Sequence, residues 1–126
     1  MLKTKIAVFV SGGGTNFEAL INAQENGKIP HGEIVLMVSS SKTAYALKRA
    51  ENHGIKSVVC SKKELGSQER FEEEILKNLE ENDIQLIVLA GFMSILSKEF
   101  TKKYENRIIN IHPSLIPVSY THLTLP

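Results

Sequence analysis

Tryptophan is absent from the 126-residue chain, cysteine occurs once, proline four times, and neither sign of charge predominates. The single Cys60 cannot close an intrachain disulfide, so a reducing cytoplasm is the expected compartment. Fifteen Lys and Arg against fourteen Asp and Glu leave a formal net charge of +1. That is too little field to draw the chain onto nucleic acid or an anionic membrane, so neither partner is expected and any anion site must be local. The longest apolar stretches, such as Leu86–Ala90, fall far short of the ~20 residues a membrane-spanning helix needs. No basic, apolar leader with a small-residue cleavage site opens the chain, and neither internal repeats nor low-complexity runs interrupt it.

With 42% hydrophobic and 23% charged residues, the chain has the balance of one globular domain. Lys5–Val10 is an almost continuous apolar run ending in Ser11 and three glycines, the pattern of a strand buried on both faces that meets a loop. Phe17, Ala19, Leu20, Ile21 and Ala23 then cluster at helical spacing within Asn16–Asn26, and Gly27 offers a stop. The alternation continues with a strand at Glu33–Val38, a helix at Ala44–His53 stopped by Gly54, and a strand at Lys56–Val59. Ser67 is placed to cap an amphipathic helix carrying Phe71, Ile75 and Leu79, and Ile84–Ala90 returns as a buried strand. Ile95, Leu96, Phe100 and Tyr104 predict a helix over Ile95–Tyr104, followed by a short strand at Arg107–Ile111. Glu72–Glu74 and the Lys102-Lys103 pair read as solvated helix faces. Alternating strands and helices predict an α/β fold, a mostly parallel sheet with helices on both faces and ligands at the carboxyl ends of the strands. Three loops fall on that edge: Ser11–Asn16, Gly91–Ile95 and Asn110–Pro117.

The Ser11-Gly12-Gly13-Gly14-Thr15-Asn16 loop lies between a buried strand and a helix start, where backbone N–H groups lack intrahelical partners and the helix dipole favours an anion. Glycines allow close backbone approach and positive φ, while Thr15 and Asn16 can cap the helix or hydrogen-bond phosphate oxygens. The same residues also suit a plain tight turn with a capped helix. Phe17 stands where a dinucleotide fingerprint needs its third glycine, Ser39-Ser40-Ser41-Lys42 replaces the acidic residue that would hold a ribose, and no Walker A lysine is present. A monophosphate ester is the simpler ligand. Asn110 and His112 stand two residues apart on an extended backbone, so both project to the same side. A carboxamide donor can stabilise an oxyanion while an imidazole moves the proton of an attacking amine, although a lone strand-end histidine is commonly structural. Taken alone, Phe92 and Met93 read as ordinary apolar packing, and Cys60 as a small hydrophobe rather than a nucleophile.

Three segments together, Ser11–Asn16, Leu89-Ala90-Gly91-Phe92-Met93 and Asn110-Ile111-His112-Pro113-Ser114-Leu115, resemble the phosphoribosylglycinamide formyltransferase family in order and spacing over about Lys5–Pro117. The resemblance implies a Rossmann-like formyltransferase N-terminal fold over residues 1–117 and formyl transfer from 10-formyltetrahydrofolate to the amine of glycinamide ribonucleotide in purine synthesis. It implies that Gly14, Thr15 and Asn16 hold the ribonucleotide phosphate, and that Met93, Ser94, Ile95 and Leu96, with Asn110 and Gln68, border the folate. Asn110 and His112 carry over as the catalytic pair, and no metal is implied. Ser94 and Gln68 occupy positions where family members often carry arginine. The family continues into a second half whose aspartate partners the histidine, whereas residues 118–126 follow no family pattern. The chain is therefore expected to be truncated, with a non-native tail, to bind phosphate weakly and to catalyse little. Competing readings are an NADP-dependent oxidoreductase half-domain, a methionyl-tRNA formyltransferase, for which the charge of +1 is unsuited, and a non-catalytic phosphate-ligand-binding domain.

Overall fold

The computed structural model describes residues 3–111. Five strands, β1 (Thr4–Val10), β2 (Gly32–Ser39), β3 (Lys56–Val59), β4 (Leu86–Ala90) and β5 (Ile108–Ile111), form one sheet in the order β3-β2-β1-β4-β5. Every pairing is parallel, as the alternation of strands and helices requires. The helices are α1 (Thr15–Glu25), α2 (Ala46–Asn52), α3 (Lys62–Leu65), α4 (Gln68–Glu81) and α5 (Lys98–Lys103).

Side chains of β1 alternate between two cores. Ile6, Val8 and Val10 join Phe17 and Ile21 of α1 and Ala46 and Ala50 of α2, whereas Ala7 and Phe9 join Phe71, Ile75 and Leu79 of α4 and Phe100 of α5. Helices therefore cover both faces, and the apolar run of β1 is explained by burial on each side. The β1–β2 register slips between Ile6 and Ala7, passing over Val35, so that Val35 and Leu36 both pack toward the α4 side.

The α4 core is aromatic. Phe92 meets the ring of Phe9 edge-on at 5.2 Å and stacks on Phe71 at 6.5 Å, and Phe100 stacks on Tyr104 at 6.0 Å. Cys60 is fully buried in the same core, as its reading as a small hydrophobe anticipates, and burial, with the nearby Glu74 charge, pushes its thiol up to about 12.

Two local expectations are corrected. Residues 95 and 96 lie outside any helix: α5 begins only at Lys98, with Ser97 as its N-cap, because the Glu72 carboxylate accepts both the Ser97 N–H and its hydroxyl, each at 2.6 Å. Glu72 is thus no solvated face residue. Burial works against its charge, but the hydrogen bonds from Ser97 and from Gln68 outweigh that and hold its carboxyl below the ordinary range. Ser67 does cap α4, accepting from the Arg70 N–H at 3.2 Å. The first helix ends through Asn26 and Gly27 as its sequence suggests, while the C-cap of α4, Asn82, is followed by Asp83, a non-glycine residue at φ 54.

Behind α1 and α2, the two nitrogens of the His53 ring lie 2.7 Å from Glu18 and 3.0 Å from Glu25. The Glu18 and Glu25 carboxylates raise the pKa of His53, and the His53 hydrogen bond in turn holds Glu18 down. The raised histidine stabilises fully below its unfolded value near 6.5, a contribution lost as pH rises through the folded value. The lowered Glu18 stabilises fully above about 4.5, a contribution lost as pH falls.

Two measurements check this arrangement. Denaturant unfolding of Phe71→Ala is expected to show a loss of about 3–5 kcal/mol, the range for emptying a buried aromatic site. The stability difference between wild type and His53→Ala is expected to be largest between about pH 4.5 and 6.5 and to shrink as pH rises through the raised histidine value; a difference flat from acid to alkaline pH would remove the ion pair from the account.

Candidate active site at the switch point of the sheet

Strand order reverses between β1 and β4: from β1 the chain first builds outward through β2 and β3, then crosses back to β4 and on to β5. In an open parallel sheet the crevice outside the carboxyl ends of those two strands is where ligands bind. The loop after β1, Ser11–Gly14, and the loop after β4, Gly91–Leu96, meet there. The Ser11 hydroxyl joins them, accepting the Met93 N–H at 2.8 Å and sharing a hydrogen bond of 2.6 Å with the Ser40 hydroxyl after β2.

The glycine loop takes the conformation its composition permits. Gly14 is the N-cap of α1 in the left-handed region, φ 79, and a Cβ there would stand 2.6 Å from the Ala46 Cβ. Contrary to expectation, neither Thr15 nor Asn16 caps the helix: both lie inside its first turn, and no side chain caps α1. The first intrahelical bond runs from the Glu18 N–H to the Gly14 carbonyl at 2.8 Å, so the N–H groups of residues 15–17 precede the helical ladder. An anion at this end would meet those donors and the positive end of the helix dipole.

The second loop is pinned at one residue and open at two others. Phe92 is held among the aromatic rings of the α4 core, whereas Met93 and Ile95 are 83% and 80% exposed. Met93 therefore does not serve as the packing residue that its hydrophobicity suggests. The Gln68 side-chain amide donates to the Ile95 carbonyl at 2.8 Å and to Glu72 at 2.6 Å, which makes it a brace under the exposed segment. Ser94 and Leu96 are half-buried, and Leu96 packs against the α4 core.

On the far side of β4, Asn110 pairs with Leu89 in register and is exposed. Its neighbour Ile111 packs into the α1 core and Ile108 into the α4 core, so strand alternation turns Asn110 toward the α4 side, where Phe92 is also packed. His112 and residues 113–117 of the third loop lie outside the described residues, as does the tail 118–126.

The Ser39-Ser40-Ser41-Lys42 segment, which stands where a dinucleotide site would place its acidic residue, is engaged within the chain. Ser39 is buried and donates to the Ser41 carbonyl at 2.6 Å, Ser40 is bonded to Ser11, Ser41 to Thr43 at 3.0 Å, and Lys42 pairs with Glu64 at 3.0 Å. Among the described residues no three His, Cys, Asp or Glu side chains gather to hold a metal ion, and no helix is long and apolar enough to cross a membrane. A groove of about 540 Å³ between α5 and the start of β5, lined by Lys98, Thr101, Tyr104 and Ile108, shares no residue with the loops above.

Sequence reasoning missed two residues that shape this site, Glu72 and Arg49. Arg49 of α2 donates from Nε to the Gly13 carbonyl at 2.7 Å and reaches Glu18 at 3.5 Å. The partners that matter here, Ser97 for Glu72 and Gly13 for Arg49, are remote in sequence, so no local pattern marks these ties.

Comparison with known proteins is consistent with this geometry. The formyl transferase family profile matches residues 4–120. The chain is similar to the trifunctional purine biosynthetic protein adenosine-3 of Gallus gallus, 48% identical over 115 residues that make up 91% of this chain and 11% of that protein. It is 40% identical over 113 residues to the phosphoribosylglycinamide formyltransferase of Haemophilus influenzae, covering 90% of this chain and 53% of that enzyme, so it spans about half of that relative's length. The crystal structure of glycinamide ribonucleotide transformylase 1 from Geobacillus kaustophilus superposes with a TM-score of 0.84 at 38% identity, over 91% of this chain and 61% of that one. With its five-stranded parallel sheet, its glycine loop at the switch point and a profile match along nearly all its length, the chain belongs to the formyl transferase family.

Proposed function

We propose that the chain carries the phosphate-binding half of a phosphoribosylglycinamide formyltransferase, a cytoplasmic enzyme that passes the formyl group of 10-formyltetrahydrofolate to the amine of glycinamide ribonucleotide in purine synthesis. The observation that carries this reading is the start of α1, where a left-handed Gly14 opens an 11-residue helix that no side chain caps, at the point where strand order reverses. A phosphate ester supplies the acceptors that this end lacks.

In this reading Gly14, Thr15 and Asn16 hold the ribonucleotide phosphate. Met93, Ser94, Ile95 and Leu96 form one wall of the folate site: exposed apolar side chains on a loop anchored by Phe92 and braced by Gln68 suit a flat aromatic ligand. Asn110 borders the folate and, with His112, serves the chemistry. The glycinamide amine attacks the formyl carbon, and the Asn110 carboxamide and the His112 imidazolium stabilise the oxyanion. A proton then passes from the new ammonium to the folate nitrogen as tetrahydrofolate leaves. The reaction calls for no metal ion.

Three outcomes are expected. Glycinamide ribonucleotide should raise the melting temperature of the chain, by the equivalent of about 2.7 kcal/mol at a hundred times its Kd, while NADP should leave it unchanged. Gly14→Ala should lose that ribonucleotide response, because the added Cβ meets Ala46 and the residue must hold φ 79; stabilisation by NADP alone would overturn the assignment. In a protein carrying both halves of the enzyme, His112→Ala should lower turnover by roughly 10²–10⁴ with ribonucleotide affinity largely kept, and unchanged turnover would remove His112 from the mechanism.

A further inference from the structure

The glycine loop is held from behind by α2. The Ala46 N–H donates to the Gly12 carbonyl at 3.3 Å, and Arg49 Nε donates to the Gly13 carbonyl at 2.7 Å. In a trans peptide the carbonyl and the following N–H point in opposite directions. Pinning those two carbonyls onto α2 therefore turns the Gly13 and Gly14 N–H groups away from it. A loop without these ties could rotate either peptide and present a carbonyl oxygen, whose partial negative charge repels an anion.

Arg49 is itself fixed in three directions. Its guanidinium lies 5.0 Å from the Tyr45 ring centre, its second nitrogen lies 3.5 Å from Glu18, and its Cδ lines the space beside Gly14. Its side chain is 24% exposed, and Glu18 is held on its other oxygen by His53 at 2.7 Å. The planar fork of arginine suits this task, since Nε and a terminal nitrogen serve two acceptors in one plane. A charge-assisted hydrogen bond at 2.7 Å is also the strongest tie the loop makes to α2.

We propose that Arg49 is a positioning residue for the anion site: by holding the Gly13 carbonyl against α2 it presents the loop N–H groups to the phosphate of the substrate, and its loss costs phosphate affinity rather than the fold. This rests on the phosphate-binding reading above. Arg49 acts through the loop backbone and does not touch the reacting atoms.

The test is titration of the chain and its variants with glycinamide ribonucleotide and with inorganic phosphate, with backbone amide spectra recorded in parallel. Arg49→Met, which keeps an apolar stem, should weaken both ligands by about 10-fold or more, in keeping with the loss of one hydrogen bond to a charged group. The amide signals of Gly13 and Gly14 should move while those of Phe9 and Ile75 in the core stay in place. Arg49→Lys, which retains a cationic donor on a flexible stem, should recover part of the affinity. Wild-type affinity in Arg49→Met, or an affinity loss accompanied by equal movement of the core signals in both variants, would overturn the proposal. Failure of the wild-type chain to bind either ligand would overturn the phosphate-binding reading along with it, which separates the two failures.

Discussion

Val8, Phe9 and Val10 are shut off from water on both faces of β1, and a strand buried in this way needs a hydrogen-bonded neighbour on each edge and a helical layer above and below. Its two neighbours are β2 and β4, and both are parallel to it. The direction of the central strand thus sets the direction of the sheet, and all the turns that follow strands come out on one side. Because β2 and β4 are reached by crossovers over opposite faces, the loops after β1 and β4 diverge and leave a crevice between them. The Ser11 hydroxyl, bonded to Met93 and Ser40, then sets how far apart those loops stand.

Helix α2 gives the crevice its second constraint. It packs so closely on the glycine loop that Gly14 has no room for a side chain, and the same closeness brings Arg49 within reach of the Gly13 carbonyl. Backbone shape, loop electrostatics and helix packing are thereby one arrangement. The Glu18–His53 pair extends it from the first turn of α1 to the C-terminal end of α2.

Much of this is legible in the sequence because it is written in short-range patterns. The apolar run before three glycines marks β1 and its loop, and Lys56–Val59 coincides with β3. Gly27 and Gly54 stand just past the ends of α1 and α2, both at positive φ. What escapes the sequence depends on partners far along the chain. Ile95 and Leu96 have helical spacing relative to Phe100, yet Glu72, 25 residues before Ser97, decides where α5 starts. Thr15 and Asn16 are good capping residues, but the left-handed Gly14 takes the cap position and draws them into the first turn. Arg49, 36 residues from Gly13, carries no local mark of its tie to the loop. Of the catalytic pair suggested by the strand-end motif, Asn110 alone falls within the described residues, exposed on the edge strand.

The pairing of Ile6 with Leu86 has a bearing on how the chain reaches this state. During synthesis β1 precedes β4, the strand that closes its second edge, by some 80 residues. Until then one edge of an apolar strand stays without its hydrogen-bond partner, which is the kind of surface on which nascent chains associate wrongly. Holding the sheet together across so long a separation also makes for slow closure. The longest wait for a partner in the whole sheet thus falls on its central strand.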